Sequence, residues 1–183
     1  MSTRTKATIE DLYSVPGNGK AEIINGEVVR TMPAGAMPGR ASGSVSLSLH
    51  RYERERGGGY AFGDNLGFIV ALPNRQSFSP DAAWYTGELE GMKFLSGAPA
   101  FAVEVRSEND YGPAAERELS AKRCDYFAAG TLVVWDVDLL SPDVIRVYRF
   151  MDPETPTVYQ RGDIADAQPA VPGWTMPVDD LFD

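Results

Sequence analysis

The chain has 183 residues, 43% of them hydrophobic and 23% charged, with a net charge of −9; this predicts one globular domain over residues 1–183 and speaks against a protein that coats nucleic acid without preference. A single cysteine, Cys124, and a single histidine, His50, exclude an internal disulfide and speak against a structural zinc site, and they fit a reducing cytoplasm. No stretch is long and apolar enough to span a bilayer, and no apolar segment follows Met1–Lys6, so neither a membrane partner nor a secretory signal is expected.

In chain order, Thr8–Tyr13 reads as a short helix with Thr8 as N-cap and Asp11 at its third helical position. The segment 16–19 breaks the chain. Ala21–Arg30 reads as a β-hairpin, because Asn25-Gly26 is a favoured two-residue hairpin turn. Pro33–Gly39 is a loop. Ser42–Arg56 reads as a helix with Val45, Leu47, Leu49 and Tyr52 on its apolar face, although Val45, Leu47 and Leu49 also alternate as a strand would. Residues 1–75 carry nine Lys/Arg against seven Asp/Glu, and the other 108 carry eight against nineteen. Arg40, Arg51, Arg54 and Arg56 therefore read either as a solvated helix face or as a local phosphate-contacting surface.

Gly59–Leu72 is β-rich, with a turn at Gly63–Asn65. A loop at Pro73–Gln76 precedes a strand that begins near Asp81, and Thr86–Ala98 is a glycine-bearing loop. Phe101–Arg106 is a strand. Pro113–Ala129 is a helix, with Pro113 suited to its first position and Gly130 to the position past its end. Thr131–Val137 is a continuous apolar run, as in a buried central strand. Val144–Phe150 alternates, and the last thirty residues read as turns and short strands. The whole predicts an α/β (α+β) chain: a mixed central sheet with few helices and an N-terminal β-hairpin.

A carboxylate inside an apolar strand is costly to bury unless something pairs with it. Glu104 is such a residue, in Phe101-Ala-Val-Glu-Val-Arg106. Residues two apart in a strand share a face, so Ala102, Glu104 and Arg106 oppose Phe101, Val103 and Val105, with Arg106 about 7 Å along from Glu104. Asp81, opening Asp-Ala-Ala-Trp-Tyr85, brings a second carboxylate if its strand is a neighbour. Two carboxylates suit a hard divalent cation such as magnesium, with a lysine or arginine nearby to orient a water or stabilise a pentavalent phosphorus. Lys122, Tyr126 and Ala129 lie on one stripe of their helix, which lets Lys122 reach towards Glu104; an ordinary snorkelling lysine is the equal alternative. Glu22 by itself reads as a solvent-facing strand residue. Asp136 and Asp138 read as strand-ending acids before metal-adjacent ones, and Ser107 and Asn109 either shape the site or turn the chain.

Pro80-Asp81, Phe101-Ala-Val-Glu-Val-Arg-Ser107, Lys122-x-x-x-Tyr126, Gly130 and Val133-Val-Trp-Asp-Val-Asp138 together resemble the Uma family of restriction-endonuclease-like proteins, in the PD-(D/E)XK nuclease superfamily. Glu22-Ile-Ile-Asn-Gly-Glu27 is similar to the family's N-terminal hairpin, and Val171–Phe182 to its C-terminal tail. The resemblance implies a restriction-endonuclease-like fold with helices flanking the sheet. It implies Asp81 and Glu104 as metal ligands, Glu22 as a supporting acid, and magnesium or manganese as cofactor. The superfamily's lysine two residues past the second acid is Arg106 here, whereas Lys122 matches the family's helix lysine, so the catalytic cation is Lys122 or Arg106. The family's histidine near the start of the helix after the first hairpin has no counterpart, since His50 lies too late. The expected activity is DNA phosphodiester hydrolysis by a metal-activated water, with DNA as partner and a homodimer as assembly; the alternative is a catalytically inactive nuclease-fold module for nucleic-acid binding or assembly.

Overall fold

Val133–Val137 is buried at every position, and it forms an inner strand of a six-stranded sheet. The computed structural model describes residues 6–16, 19–89 and 91–183; the segment before Lys6 and part of the break at 16–19 lie outside them. The elements are α1 (Ile9–Tyr13), β1 (Ala21–Ile24), β2 (Glu27–Arg30), α2 (Ala36–Arg56), β3 (Tyr60–Phe62), β4 (Phe68–Ile69), β5 (Ser77–Phe78), β6 (Ala82–Tyr85) and β7 (Leu95–Ser96). Then come β8 (Phe101–Val105), α3 (Pro113–Ala128), β9 (Val133–Val137), β10 (Ile145–Arg149), β11 (Asp152–Tyr159), β12 (Ile164–Asp166), β13 (Thr175–Pro177) and a 3₁₀ turn, Val178–Leu181.

The large sheet runs β11-β10-β9-β8-β6-β3. Only β8 and β9 are parallel within it, with α3 as their crossover; parallel neighbours need such a connection. The sheet is therefore mixed, as the composition of elements predicts. One face is covered by α2 and the C-terminal segment, through Ala41, Val45 and Leu49 on the helix and Val171, Trp174 and Leu181 beyond the sheet. The other face is covered by α3 and by a small sheet ordered β5-β4-β7, through Tyr126, Phe68, Phe78 and Leu95.

The hairpin forms as its turn residues dictate. Asn25 and Gly26 both have positive φ, 52° and 76°, the left-handed pair that matches strand twist in a two-residue turn. In α1, the Asp11 carboxylate accepts the Thr8 N–H at 2.7 Å, satisfying a donor that a helix start otherwise leaves free.

Three expectations are corrected. Helix α2 starts at Ala36, not Ser42, because Pro38 sits in the first turn, where helix N–H groups have no intrahelical partner and a missing one costs little. Leu47 is 54% exposed, and the buried stripe runs through Ala41, Ser42, Val45 and Leu49. The predicted loops at 73–76 and 86–98 take part in β pairing: Arg75 forms a single bridge to Ile24, and β7 pairs in parallel with β4. These are pairings between distant segments, which local turn residues do not reveal. The C-terminal region also holds the longest strand, β11, on the sheet's edge; Pro153 and Pro156 are tolerated there because an edge leaves N–H groups unpaired anyway. Among the described residues no helix is long and apolar enough to cross a membrane.

Candidate active site

The alternation of β8 sends Phe101, Val103 and Val105 into the α2-side core, while Ala102 and Glu104 turn towards α3. One helical turn of α3 then supplies both partners of Glu104. Lys122 Nζ stands 2.8 Å from Glu104 Oε1, and the Tyr126 hydroxyl donates to the same oxygen at 2.6 Å. The Tyr126 ring is fixed from behind by stacking on Phe78, with ring centroids 4.0 Å apart.

Asp81 stands at the mouth of β6, beside the end of β8. Its N–H donates to the Val103 carbonyl at 2.9 Å, and its Oδ2 accepts the Val105 N–H at 2.7 Å. Asp81 thus grips the residues on either side of Glu104. The Ser42 hydroxyl of α2 donates to the Asp81 carbonyl at 2.7 Å. Its Oδ1 meets the Lys20 ammonium at 2.6 Å, and Lys20 also pairs with Asp64 at 2.8 Å.

Glu22 enters from β1 and is buried, which corrects its reading as a solvent-facing strand residue. It accepts the Ser79 N–H at 2.9 Å and pairs with Lys122 at 3.0 Å and with Arg75. Arg75 in turn holds Asp125 at 2.8 Å and lies over the Phe78 ring, 4.9 Å from its centroid. The hairpin is brought here by backbone bonds to the segment before β5: Asn25 N–H to the Asn74 carbonyl at 2.7 Å and Gln76 N–H to the Ile23 carbonyl at 3.0 Å.

Burial and these pairs set the charges. Burial raises the Glu104 carboxyl above its ordinary value; Lys122 opposes the shift and Asp81 adds to it. Burial also works against charge on Glu22, but Lys122 and Arg75 outweigh it and hold that carboxyl low. Lys122 and Lys20 both lose solvent, yet Glu104 and Glu22 around the first, and Asp81 beside the second, keep each ammonium above its ordinary value. Tyr126 is pushed well up by burial and by Glu104, so its hydroxyl stays a donor.

Of the two candidate cations, the structure brings Lys122 to Glu104 and holds Arg106 elsewhere. Arg106 makes two bonds of 2.7 Å to Asp136 and pairs with Glu116. Its place on the Glu104 side of the strand is as predicted, but its guanidinium is committed to these two acids. Asp136 is accounted for by that pair. Asp138 accepts the Leu140 N–H at 3.0 Å and the Tyr111 hydroxyl at 2.9 Å. Ser107 turns the chain, its N–H bonded to Asp110 at 2.6 Å and its carbonyl to the Asp110 N–H at 3.0 Å. His50 lies half exposed beside Glu53. Arg51, Arg54 and Arg56 are exposed on α2, and Arg40 donates to the Asp183 carbonyl.

Lys20, Asp64, Arg75 and Asp125 escaped the sequence reading. For Lys20 one signal exists: it stands two residues before Glu22, so strand alternation puts both on one face. The other three meet the cluster only through tertiary pairing.

The arrangement offers oxygen donors from two adjacent strands, Asp81 and Glu104, next to a lysine that stays charged. Among the described residues no group of three or more His, Cys, Asp or Glu gathers into a metal cage. Magnesium does not require one: it commonly binds through one or two carboxylates, with waters and substrate phosphate completing its shell. The donor set therefore fits a magnesium-like ion.

The family model for Uma2, described as putative restriction endonuclease, matches residues 8–179. Among solved structures, a crystal structure described as a putative nuclease belonging to DUF820, from Anabaena variabilis, superposes with a TM-score of 0.72 at 17% identity, covering 96% of this chain and 97% of that one. Among curated proteins none matches.

Proposed function

The chain belongs to the Uma2 family, and from that premise we propose that it is a magnesium- or manganese-dependent DNA endonuclease whose metal ligands are Asp81 and Glu104. The observation that carries this reading is the juxtaposition of two carboxylates on neighbouring strands, Asp81 bonded to the Val105 N–H at 2.7 Å and Glu104 lying 2.8 Å from the Lys122 ammonium. When bound, the metal supplies charge neutralisation on the phosphate and lowers the pKa of a water.

The geometry supports the remaining roles in this reading. Lys122 is held charged, so it acts as a donor and positive charge towards the phosphoryl oxygens and not as a proton acceptor. Glu22 and Arg75 position Lys122 from behind, and Tyr126 fixes the Glu104 carboxylate. Arg106, bound to Asp136 and Glu116, is assigned a structural part. Cutting both strands of a duplex calls for two such sites, which a homodimer would supply, and a reducing cytoplasm would keep the exposed Cys124 as a thiol.

The test is cleavage of supercoiled DNA with magnesium or manganese. Wild type is expected to nick it, Asp81→Ala and Glu104→Ala to lose activity, and Lys122→Met to slow turnover by about 10²–10³-fold. Inactivity of the wild type on a range of DNA and RNA substrates would contradict the reading. One observation favours a second reading, a nuclease-fold binding module without turnover: each carboxylate already has an ammonium against it, Lys20 on Asp81 and Lys122 on Glu104. Metal binding that depends on Asp81 and Glu104 discriminates for the enzyme, and absence of metal binding for the module.

A further inference from the structure

Two ammonium groups flank the carboxylate pair, and they are held differently. Lys122 lies between Glu104 and Glu22, whose side chains are 17% and 7% exposed. Lys20 lies between Asp81 and Asp64, and Asp64 is 43% exposed. An open cavity of 380 Å³ is lined by Asp64 together with Ser42, Ser46 and His50, and Lys20 stands behind Asp64, outside the lining. Ser42 donates to the Asp81 carbonyl, and Asp64 holds Lys20, so the cavity abuts the carboxylate cluster on the Lys20 side.

We propose that Lys20 is a substrate-binding residue that takes a backbone phosphate of the nucleic acid from this cavity, with Asp64 as the partner it exchanges for that phosphate. The inference rests on the nuclease reading above, in which Asp81 is committed to a divalent cation. An ammonium 2.6 Å from Asp81 Oδ1 and a dication on the same carboxylate repel each other. Lys20 then keeps only Asp64, a solvent-exposed carboxylate whose hold on it is weak. A phosphodiester anion entering the cavity offers the Lys20 ammonium a charge-assisted partner in place of Asp64. Lys122 has no such freedom, because its second carboxylate is buried.

The experiment is binding of a fluorescein-labelled DNA duplex, followed by anisotropy over a range of KCl concentrations, with calcium replacing magnesium. Lys20→Met is expected to weaken binding about tenfold at low salt and to reduce the slope of log K against log salt by about 0.9, the value of one lost phosphate contact on duplex DNA. Asp64→Asn, which frees Lys20, is expected to tighten binding by about two- to fivefold, the size of a partly exposed ion pair. That gain should vanish in the double variant. A salt slope unchanged by Lys20→Met, or weaker binding by Asp64→Asn, would overturn the proposal; a merely structural lysine would not move the slope. Manganese binding retained by Asp81→Asn would instead overturn the metal reading beneath it, and failure of the wild type to bind DNA at all would overturn both.

Discussion

At the scale of single residues, Arg75 and Lys122 together make the burial of Glu22 tolerable. The Arg75 side chain is 5% exposed and it bridges Glu22 and Asp125. Removing Arg75 takes one cation from buried Glu22, which keeps Lys122 beside it, and the guanidinium from Asp125, so Arg75→Met is expected to destabilise the protein by about 1–3 kcal/mol, read by urea unfolding. The double variant Arg75→Met/Glu22→Gln should recover part of that loss, since the buried carboxylate that lost one of its two cations is gone. A loss under about 1 kcal/mol in the single variant would contradict the buried-pair account. Glu104 was legible in the sequence because an acid inside an apolar strand signals its own need for partners, and helical spacing pointed Lys122 at it. Glu22 carried no such signal. Its partners Arg75 and Ser79 lie 53 and 57 residues further along the chain, and only the fold brings them together. The same reason hid Asp64 behind Lys20.

At the scale of elements, local chemistry set what could be read. The Asn25-Gly26 turn, the Pro113 start of α3 and the unbroken apolar run of β9 each state their structure within a few residues. The start of α2 did not, because a proline reads as a breaker unless its place in the first turn is known. The pairing of β7 with β4 was also beyond local reading. The joining of β10, β11 and β12 makes a further prediction, centred on Asp166. Asp166 accepts from the Tyr159 hydroxyl at 2.7 Å, from the Gln168 N–H at 2.8 Å and from Arg149 at 3.0 Å. Burial works against its charge, but these three partners outweigh burial and hold the carboxyl below its ordinary 3.8. A depressed folded pKa means stabilisation that is complete above 3.8 and is lost as the pH falls through the lower folded value. Asp166→Asn should therefore be less stable than wild type at neutral pH, with the difference in unfolding free energy shrinking as the pH drops from about 5 to about 2. A difference that stays constant over that range would contradict the assignment.

At the scale of the whole molecule, the mixed sheet works as a platform with two unlike faces. The α2 face is filled by side chains of the core. On the α3 face a line of charge runs from Asp125 through Arg75, Glu22 and Lys122 to Glu104, and Lys20 and Asp64 close the Asp81 side. Strand order placed Asp81 next to Glu104, and no spacing along the chain carries strand order; it was legible here only through the resemblance of the whole set of motifs. The surplus of acids after residue 75, nineteen against eight basic residues, would make the contact proposed for Lys20 matter more for an anionic substrate. The central claim is that Asp81 and Glu104 together form a divalent-metal centre, and calorimetric titration of the protein with manganese tests it most directly. The account predicts saturable binding by wild type that is abolished in both Asp81→Ala and Glu104→Ala while both variants keep the wild-type fold by circular dichroism; undiminished binding in either variant would contradict it.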